Sequence, residues 1–573
     1  MCGISGFLTF QSSLTASSTK QILKDMANAL NHRGPDSSGI WFDEDAGIGL
    51  AHTRLSILDL TIAGHQPMSS HCGRYIINFN GEIYNTDELK EVLDQNNFSS
   101  TDLKSSTDTE VLIQCIAILG LDHTLKKALG MFAFALWDTQ ESVLSIARDR
   151  MGEKPLYYGW QGDGHERTFL FGSEIGALKK HPVFKPEIDR EALKDFLKFN
   201  YVPAPNSIYK NIKKLSPGKI LRISPKSSKN LFKAQQYSDY WSFPETANQL
   251  KQHDISYDPQ ISVNKLEKLI TNAISRQMVA DVPIGAFLSG GVDSSLVVAI
   301  MQKLSPNPIK TFSIGFTEKN YNEANYAKEV AQYLNTDHTE IYLTAKDAKE
   351  IVPVIAKLYD EPFADVSQIP TYLVSRLAKE HVCVSLSGDG GDELFGGYNR
   401  YTTVSHLWNK IRSVPLPIRR TISRIIVLLK PEYWTSILGF FRLNFGYSNI
   451  GDKIYKGAKV LDSDTIKELY SRLISNPIDT STLVLDADNK KSNDNETTIR
   501  EYFNYFNHLS DTEKMMAVDC VTYLPDDILV KIDRAAMAVS LETRVPLLDY
   551  RIVEFAWGLP QGLKIRDKES KWI

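Results

Sequence analysis

A loop rich in glycine and serine has the clearest capacity for chemistry in this sequence. It spans residues 289–295 and reads Ser-Gly-Gly-Val-Asp-Ser-Ser, between an apolar segment typical of a buried strand and one typical of a buried helix face. Such a loop points backbone N–H groups and a helix N-terminus at an anion. Asp293 would repel a phosphate unless a divalent cation lay between them. The loop therefore predicts a phosphate site that uses a cation, with a serine-rich helix cap as the alternative.

A second loop, residues 387–393, carries three acidic side chains and reads Ser-Gly-Asp-Gly-Gly-Asp-Glu. It also follows an apolar, strand-like segment, so we expect both loops beyond the carboxyl ends of strands in one parallel sheet. Asp293 and Asp392 are then the two carboxylates expected to hold Mg²⁺. Glu393 has an alternative role, because an acid at a helix N-terminus stabilises the helix dipole.

A cysteine at the second position, Cys2, is the other candidate for chemistry. Removal of Met1 would give this residue both a thiol and a free α-amine. The amine has an ordinary pKa of about 8, so near neutral pH it can act as a base for the thiol. This is the logic of an N-terminal nucleophile. The alternative is a small buried residue in a first strand.

Length and composition narrow the class of protein. The chain has 573 residues, which predicts two or more domains, and 42% hydrophobic with 23% charged residues is typical of a globular protein. A net charge of −4 argues against nucleic-acid binding by bulk electrostatics. We find no secretory signal and no apolar stretch long enough to span a membrane. Five cysteines without a CxxC pair fit a reducing cytoplasm and exclude a zinc ribbon.

The N-terminal 220 residues predict an α+β domain with stacked sheets. Apolar runs at 75–79 and 131–137 are strand-like, and helical patterns cover 19–30 and 109–119. These elements alternate with turn residues rather than in a regular strand–helix order. The segment is therefore expected to form a domain separate from the one that holds the two loops.

The second half of the chain has a different pattern. Residues 224–258 are polar and predict a linker or peripheral segment. Strand-like segments at 309–316 and 339–343 then alternate with a helical pattern at 322–334. This alternation predicts a parallel, doubly wound sheet, followed by a mainly helical C-terminal part.

The two loops together resemble the ATP-pyrophosphatase domain of glutamine-dependent asparagine synthetases. The resemblance implies that an aspartate carboxylate attacks the α-phosphate of ATP, and that ammonia displaces AMP from the β-aspartyl-adenylate. Asp389 stands where many family members carry a glutamate that helps to form the adenylate. The implied ATP-binding residues are Leu288, Ser289, Gly290, Gly291, Asp293, Ser294, Ser295, Ile314, Ser387 and Gly388.

Four N-terminal segments (31–36, 51–59, 80–85 and 107–110) resemble the class II glutamine amidotransferase domain. By this resemblance Cys2 attacks the side-chain amide of glutamine, and Asn80 with Gly81 stabilises the oxyanion. Arg54 offers a planar fork to the α-carboxylate, and Asp108 pairs with the α-ammonium with help from Glu82. The implied glutamine-binding residues are Arg54, Leu55, Ser56, Ile57, Leu58, Asn80, Gly81, Glu82 and Asp108.

These resemblances give a fold and a domain division as expectations. Residues 2–220 are expected to form an α+β N-terminal nucleophile hydrolase sandwich with α-β-β-α layers, the glutaminase domain. Residues 221–260 are a linker or peripheral segment. Residues 261–573 are expected to form an α/β doubly wound parallel-sheet ATP-pyrophosphatase domain with a helical C-terminal part.

The C-terminal third resembles the family less uniformly. Residues 519–549 match a stretch of the synthetase domain and predict a wall of the acid-substrate pocket, with a salt-bridged helix pair as the alternative. Family members usually continue past the position of Ile573 to a basic residue implicated in adenylation. We therefore expect a C-terminally truncated synthetase domain. The sequence supports its adenylation activity less strongly than it supports the glutaminase activity.

Three functions remain open on the sequence. The first is ATP-dependent amidation of aspartate with ammonia from glutamine, with glutamine, aspartate, ATP and Mg²⁺ as the small-molecule partners. The second is amidation of another carboxylate, such as a sugar acid of a surface polysaccharide. The third is a glutaminase or regulatory protein with an impaired synthetase half. A cytoplasmic location is expected, and a homodimer is usual for the bacterial relatives.

Overall fold

The N-terminal half is built on two six-stranded antiparallel sheets. The computed structural model describes residues 1–9, 15–164, 167–224, 235–251, 258–316, 324–430, 432–434, 436, 450–476, 480–485, 494–567 and 569–573. In the first sheet the order is β10 (Ile212–Lys214), β8 (Tyr157–Gln161), β9 (Thr168–Gly172), β1 (Gly3–Thr9), β3 (Ile48–Arg54) and β2 (Ser37–Asp43). In the second it is β12 (Gln235–Asp239), β11 (Lys219–Ile223), β7 (Val143–Arg148), β6 (Gly130–Asp138), β5 (Tyr75–Ile83) and β4 (Met68–Ser69).

The two sheets pack face to face and each is covered by helices. Ile4 of β1 and Ile146 of β7 belong to one buried cluster between the sheets. Leu23 of helix Ala16–Asn28 packs on the outer face of the first sheet. Helix Asp108–Leu119 packs on the outer face of the second sheet. The layers are therefore α-β-β-α, which confirms the predicted sandwich. The other helices of this half are Ile62–Gly64, Thr86–Gln95, Ser100–Asp102, Leu121–Lys127, Ile175–Leu178 and Arg190–Phe199.

The C-terminal half is built on a five-stranded parallel sheet. Its order is β15 (Asp337–Leu343), β14 (Lys310–Phe316), β13 (Ile284–Phe287), β16 (Val384–Leu386) and β17 (Glu542–Arg544). Helices cover it, and a short hairpin, β18 (Ile565–Arg566) with β19 (Glu569–Ser570), follows. The predicted doubly wound sheet is confirmed, and β13 and β16, which precede the two loops, are neighbours.

The helices of this half account for most of its residues beyond the sheet. They are Phe243–Lys251, Pro259–Gln277, Val292–Leu304, Ala324–Leu334, Ala345–Leu358, Gln368–Lys379, Gly391–Phe395, Asn399–Ile411, Leu416–Val427, Ile450–Leu461, Ile466–Ile474, Thr480–Leu483, Asp494–Tyr505, Asp511–Val521, Leu524–Ile528 (a π-helix), Leu529–Met537, Pro546–Leu548, Tyr550–Gly558 and Gln561–Lys564. Across the described residues, no helix is both long enough and apolar enough to cross a bilayer.

The segment predicted as a linker contains regular structure. Strand β12 pairs with β11 at the edge of the second sheet, and helix Phe243–Lys251 packs against helix Tyr550–Gly558. Strand β12 itself was not predicted, because it lies at the sheet edge and is largely exposed, so it lacks the apolar alternation of a buried strand. Residues 225–234 and 252–257 lie outside the described part of the chain.

Candidate active sites

Cys2 lies directly before β1, at the point where this strand pairs with β3. Its side chain is 8% exposed, and its backbone N–H donates to Asn80 Oδ1 at 2.9 Å. Burial raises the pKa of the thiol, although a hydrogen bond from the Leu55 backbone N–H opposes the shift. The thiol therefore holds its proton at neutral pH, and a nucleophilic role for it requires a base.

Asn80 has a spare hydrogen-bond donor beside the thiol. The residue is fully buried on β5, and its Oδ1 is occupied by the Cys2 N–H, which fixes the orientation of the amide. Its Nδ2 has no hydrogen-bond partner in the described part of the chain. A buried, unpaired donor costs free energy unless a ligand or intermediate uses it. Gly81 follows on the same strand, where its neighbour across the pair is Phe132.

Arg54 does not present a free fork in this structure. Its Nη1 donates to Thr61 O at 2.7 Å, and its Nη2 donates to Leu58 O and Asp59 O at 3.3 and 2.5 Å. Three of the five guanidinium donors are thus spent on carbonyls of its own loop. The sequence predicted a carboxylate-binding role for this residue. Two of its N–H donors lie outside these three bonds, and the role stays a prediction.

The two acids predicted to face the α-ammonium of glutamine lie close together. Asp108 Oδ2 accepts from the Ile83 N–H at 2.7 Å, and burial raises the pKa of Asp108 to about 6. Burial, followed by the charge of Glu542, raises the pKa of Glu82. A cavity of about 540 Å³ opens beside Glu82 and Ser106. Of the predicted glutaminase residues, Leu58 and Glu82 line this cavity, whereas Cys2, Arg54, Asn80 and Asp108 do not.

The remaining residues of the predicted glutamine loop differ in exposure. Ile57 is buried in the hydrophobic cluster that spans the two halves, and its carbonyl accepts from the Asp281 N–H at 3.0 Å. Leu58 lines the cavity beside Glu82. The Ser56 N–H donates to Asp36 Oδ2 at 2.7 Å, which holds the loop against the turn at 31–36.

The two glycine-rich loops of the C-terminal half meet in a second cavity, of about 320 Å³. Their backbones are in contact: a Cβ at Gly388 would lie 2.6 Å from the Ser294 nitrogen, and one at Gly391 would lie 2.5 Å from the Asp293 carboxylate. Glycine at these two positions is what permits the approach. The predicted residues that line the cavity are Ser289, Gly291, Asp293, Ser294, Ser387, Gly388, Asp389 and Asp392.

Four residues predicted to contact ATP lie outside the lining of this cavity. Leu288 belongs to the hydrophobic core and its N–H is bonded to Phe312 O, while Ile314 packs against a second buried cluster. Gly290 turns the loop at a φ of +78°, and Ser295 Oγ is buried. Their positions are those of residues that shape the loop and strand, and contact of Leu288 or Ile314 with adenosine stays a prediction.

A lysine that sequence reasoning missed lies between the two predicted metal ligands. Lys571 Nζ is 2.5 Å from Asp293 Oδ2 and 2.7 Å from Asp392 Oδ1. Burial raises the pKa of Asp293 to about 6, and the ammonium opposes this shift. Among the residues that the structure describes, no group of three or more His, Cys, Asp or Glu side chains is arranged to hold a metal. Two carboxylates suit Mg²⁺ when substrate phosphates supply further oxygens, and Lys571 must then move from between them.

A second lysine, Lys531, faces the same cavity from helix Leu529–Met537. Its Nζ lies 3.5 Å from Asp365 Oδ2 and 3.4 Å from Ser367 Oγ. Asp389 is hydrogen-bonded by the Ser387 hydroxyl, and burial raises the pKa of Asp389 while Lys531 lowers it. The cavity thus combines hydroxyls, backbone N–H groups, carboxylates and two ammonium groups, a set suited to a polyphosphate.

Comparison with known proteins assigns a family to each half of the chain. The family model described as a glutamine amidotransferase domain matches residues 1–241, and the model described as asparagine synthase matches residues 265–573. The glutamine-hydrolysing asparagine synthetase 1 of Bacillus subtilis (strain 168) is 33% identical over 578 residues, which cover 100% of this chain and 83% of that protein. The chain belongs to the glutamine-hydrolysing asparagine synthetase family. Asparagine synthetase 3 of the same organism is 31% identical, with 100% of this chain and 83% of that protein covered.

In this asparagine synthetase family member a buried ion network joins the two halves. Arg33, fully buried, donates Nε to Cys2 O at 3.2 Å and pairs with Asp533 at 2.7 and 2.9 Å. Arg534 Nη1 lies 2.9 Å from Glu174 Oε1. The expectation that residues 519–549 form a wall of the acid pocket therefore needs correction. Lys531 and its apolar neighbours face the cavity, but Asp533 and Arg534 bind the glutaminase half.

A second buried cluster lies between the two sites. Arg544 Nε is 2.7 Å from Glu542 Oε1, and its Nη2 is 3.6 Å from Glu82 Oε1. The α-ammonium of Met1 lies 2.5 Å from Glu542 Oε2. The Arg544 carbonyl in turn accepts from the Ser387 N–H at 2.9 Å. One residue thus contacts an acid of the first site and the backbone of the second.

Proposed function

We propose that this chain makes asparagine from aspartate, ATP and glutamine, with a glutaminase domain at 2–220 and a synthetase domain at 261–573. The observation that carries the proposal is the presence of both sites in one chain. A buried thiol has an unpaired amide donor beside it, and two glycine-rich loops enclose a cavity suited to a polyphosphate. Membership of the family supports the pairing of the two activities.

In the glutaminase half, Cys2 is the nucleophile once Met1 has been removed. The freed α-amine accepts the thiol proton, directly or through water, and the sulfur attacks the side-chain amide carbon. Asn80 Nδ2 and the Gly81 N–H donate to the oxyanion of the tetrahedral intermediate. Ammonia leaves with a proton from the amine, and water then hydrolyses the thioester to release glutamate. Asp108 and Glu82 hold the α-ammonium of the substrate.

In the synthetase half, the aspartate side-chain carboxylate attacks the α-phosphorus of ATP and pyrophosphate leaves. Ammonia then attacks the acyl carbon, its nitrogen gives up a proton to water, and AMP leaves with the acyl C–O bond electrons. Asp293 and Asp392 would hold Mg²⁺, which supplies positive charge to the departing pyrophosphate. Lys571 offers its ammonium to the same phosphates, and the hydroxyls of Ser289 and Ser294 donate to them.

Ammonia must travel between the halves in its neutral form, because ammonium has no free electron pair. The contact zone of the two halves is closely packed, with Arg544 and Glu542 among its fully buried side chains. A passage that excludes bulk water would keep ammonia unprotonated. We propose that this passage lies beside Leu55, which belongs to the buried cluster that spans both halves.

The test uses purified protein with ATP, Mg²⁺ and glutamine, and a panel of acids that includes aspartate and sugar acids. Pyrophosphate, glutamate and the amide product are measured together. Pyrophosphate release driven by aspartate supports the proposal. Release driven by a sugar acid instead would show that the acceptor is that acid and not aspartate. Glutamate without any pyrophosphate would show that the glutaminase half acts alone.

A Cys2→Ala variant serves as the control for the nitrogen source. It lacks the nucleophile but keeps the fold, so it should use ammonium salts and not glutamine. Glutamine use that persists in this variant would refute the assignment of Cys2.

A further inference from the structure

A third cavity, of about 430 Å³, opens where the two halves of the chain meet, and we call it the junction cavity. Its lining includes Tyr201 and Pro205 from the N-terminal half and Tyr502 and Asp526 from the C-terminal half. Among the described residues, it shares no lining residue with the cavity beside Glu82 or with the cavity of the two glycine-rich loops. Its volume lies within the range of small-molecule sites, about 300–1,000 Å³. Neither of the two proposed reactions uses it.

Aromatic side chains form walls of the junction cavity, among them Trp241, Phe243 and Tyr502. The ring centroids of Trp241 and Phe243 are 6.4 Å apart, and Phe243 packs edge-on against Trp557 at 5.2 Å. Trp241 Nε1 donates to Glu554 Oε1 at 3.1 Å, which fixes the plane of the indole. The walls are therefore ordered before a ligand arrives, and the faces of such rings attract a cation.

Two deeply buried polar side chains of the lining keep unused hydrogen-bonding capacity. Asp526 and Tyr201 are 3% and 5% exposed. Asp526 lies on the π-helix Leu524–Ile528, and its Oδ2 accepts from the Ala204 N–H at 2.8 Å. Within the described residues, neither Asp526 Oδ1 nor the Tyr201 hydroxyl has a hydrogen-bond partner. A buried polar group without a partner costs free energy unless a ligand or a water uses it.

Carboxylates dominate the electrostatic field inside the junction cavity. Burial raises the pKa of the Tyr201 hydroxyl, and the charge of Asp526 raises it further. The pKa of Tyr502 is raised in the same way, with the charge of Glu501 added to that of Asp526. A positive charge is therefore favoured beside both hydroxyls.

The cations that line the junction cavity are engaged elsewhere. Lys219 Nζ lies 2.5 Å from Asp239 Oδ1. Arg150 donates Nη1 to the Ala128 carbonyl at 2.6 Å and Nη2 to the Leu125 carbonyl at 3.0 Å. Neither side chain therefore neutralises the buried acid.

The nearest opposing charge to Asp526 also has its own partner. Burial raises the pKa of the Asp526 carboxyl, and the charge of Lys214 opposes this shift. Lys214 Nζ, however, lies 2.5 Å from Glu361 Oε1. Asp526 forms no ion pair within the part of the chain that the structure describes. The junction cavity thus offers an unpaired carboxylate beside aromatic walls.

We propose that the junction cavity binds a small organic amine in its protonated form, with an apolar or aromatic body. The ammonium group pairs with Asp526 Oδ1 and donates to the Tyr201 hydroxyl oxygen. The body of the ligand lies against Trp241 and Tyr502. Such a ligand contacts both halves of the chain outside the two catalytic cavities, so the site is additional to the proposed function.

The experiment titrates the whole chain with phenethylamine in a calorimeter. Phenethyl alcohol and phenylpropionate serve as comparison ligands, because they keep a similar body without the positive charge. The dissociation constant of the amine should be at least about tenfold lower than that of either, since both the charged hydrogen bond and the cation–π contact need the ammonium. Absence of amine binding, or equal affinity for the amine and the alcohol, would overturn the proposal and leave the cavity to water.

Two variants locate the bound amine. Asp526→Asn keeps an acceptor for the Ala204 N–H and loses the charge, so binding should weaken about tenfold or more. Tyr201→Phe keeps the ring and loses only the hydroxyl, so binding should weaken about threefold to tenfold, even if Asp526→Asn does not fold. An unchanged dissociation constant in Tyr201→Phe, or in folded Asp526→Asn, would refute the site.

Asp527→Asn is the matched control. Asp527 is buried on the same π-helix and is not part of the lining of the junction cavity. Burial, followed by the charge of Asp365, raises the pKa of Asp527 to about 8, so the residue is protonated at neutral pH and the substitution alters little charge. The affinity for phenethylamine should stay as in the parent chain. A loss equal to that in Asp526→Asn would show that the helix and not the carboxylate matters, which contradicts the proposal.

A competition arm separates this site from the glutaminase site. The titration is repeated with saturating glutamine, which should leave the affinity for phenethylamine unchanged because the two cavities share no lining residue. Loss of amine binding under glutamine would place the amine at the acids near Glu82 and overturn the assignment. Failure of amide synthesis with normal amine binding would count only against the proposed function.

Discussion

Replacement of Asn80 by alanine removes an Nδ2 donor that is unpartnered beside the thiol, together with the Oδ1 that accepts from the Cys2 N–H at 2.9 Å. The Asn80 Nδ2 is buried and unpartnered within the described residues, so the ground state gains nothing from it. An interaction made only in the transition state lowers kcat when it is lost. Loss of one oxyanion donor costs about 2.7–4 kcal/mol, so kcat for glutamine hydrolysis should fall about 10²-fold to 10³-fold in Asn80→Ala.

Asn78→Ala is the matched control for this change. Asn78 lies two residues earlier on β5, on the same face, and is also fully buried. Its Nδ2 already donates to Ser5 O at 3.3 Å and Ala51 O at 3.0 Å, and its unpartnered atom is the acceptor Oδ1. An acceptor cannot stabilise an oxyanion. Asn78→Ala should therefore lower the free energy of unfolding by about 1–3 kcal/mol and leave the kcat of the folded protein unchanged.

The assay is steady-state glutamate release, with ammonium-dependent amide synthesis measured in parallel on both variants. Asn80→Ala should lose the first activity and keep the second, because the ATP cavity is untouched. A kcat for Asn80→Ala within about threefold of the parent value would refute the reasoning. Equal losses in the two asparagine variants would show that packing of β5, and not the spare donor, limits hydrolysis.

Three further predictions concern charge. Lys571→Ala removes an ammonium from the phosphate cavity, so KM for ATP in pyrophosphate release should rise about tenfold or more, and an unchanged KM would contradict its role. Burial raises the pKa of Asp108 to about 6, so the carboxylate that we propose as the partner of the substrate ammonium is lost below that pH. The value of kcat/KM for glutamine should therefore fall about tenfold from pH 7 to pH 5. A flat pH profile would exclude this pairing. Arg33→Ala leaves Asp533 buried without its partner and should lower the free energy of unfolding in urea by about 3–5 kcal/mol, whereas a loss below about 1 kcal/mol would show that water replaces the guanidinium.

Much of the fold follows from local pattern. Buried strands such as β14 and β6 are recognisable in the sequence as apolar runs. The helix predicted at 109–119 is present as Asp108–Leu119. The polar edge strand β12 was not predicted, because an exposed strand with a partner on one side only has no apolar alternation. Pattern therefore finds buried elements more readily than exposed ones.

The sequence predicts a site residue only where neighbouring residues form a recognisable motif around it. The loop around Asp293 and the thiol of Cys2 are marked by residue type and spacing. Lys571 is 278 residues from Asp293 along the chain, and nothing in its own neighbourhood marks it as a partner of that carboxylate. The commitment of Arg54 to its loop carbonyls depends on a turn at Asp59 with a positive φ, which local composition does not specify.

The bond from Arg33 to the Cys2 carbonyl has a consequence for work on separated halves. The backbone of Cys2 is held by a guanidinium whose charge is balanced by Asp533, 500 residues away. A fragment that ends with the first domain keeps Arg33 and loses Asp533. Glu174 is then the remaining acidic partner of the guanidinium, in a site that the intact chain buries. Such a fragment would retain every residue of the glutaminase chemistry and still misplace the thiol. Failure of an isolated N-terminal half to hydrolyse glutamine would then not contradict the assignment of Cys2 as the nucleophile. The informative experiment would add the C-terminal half in trans and measure glutamate release again.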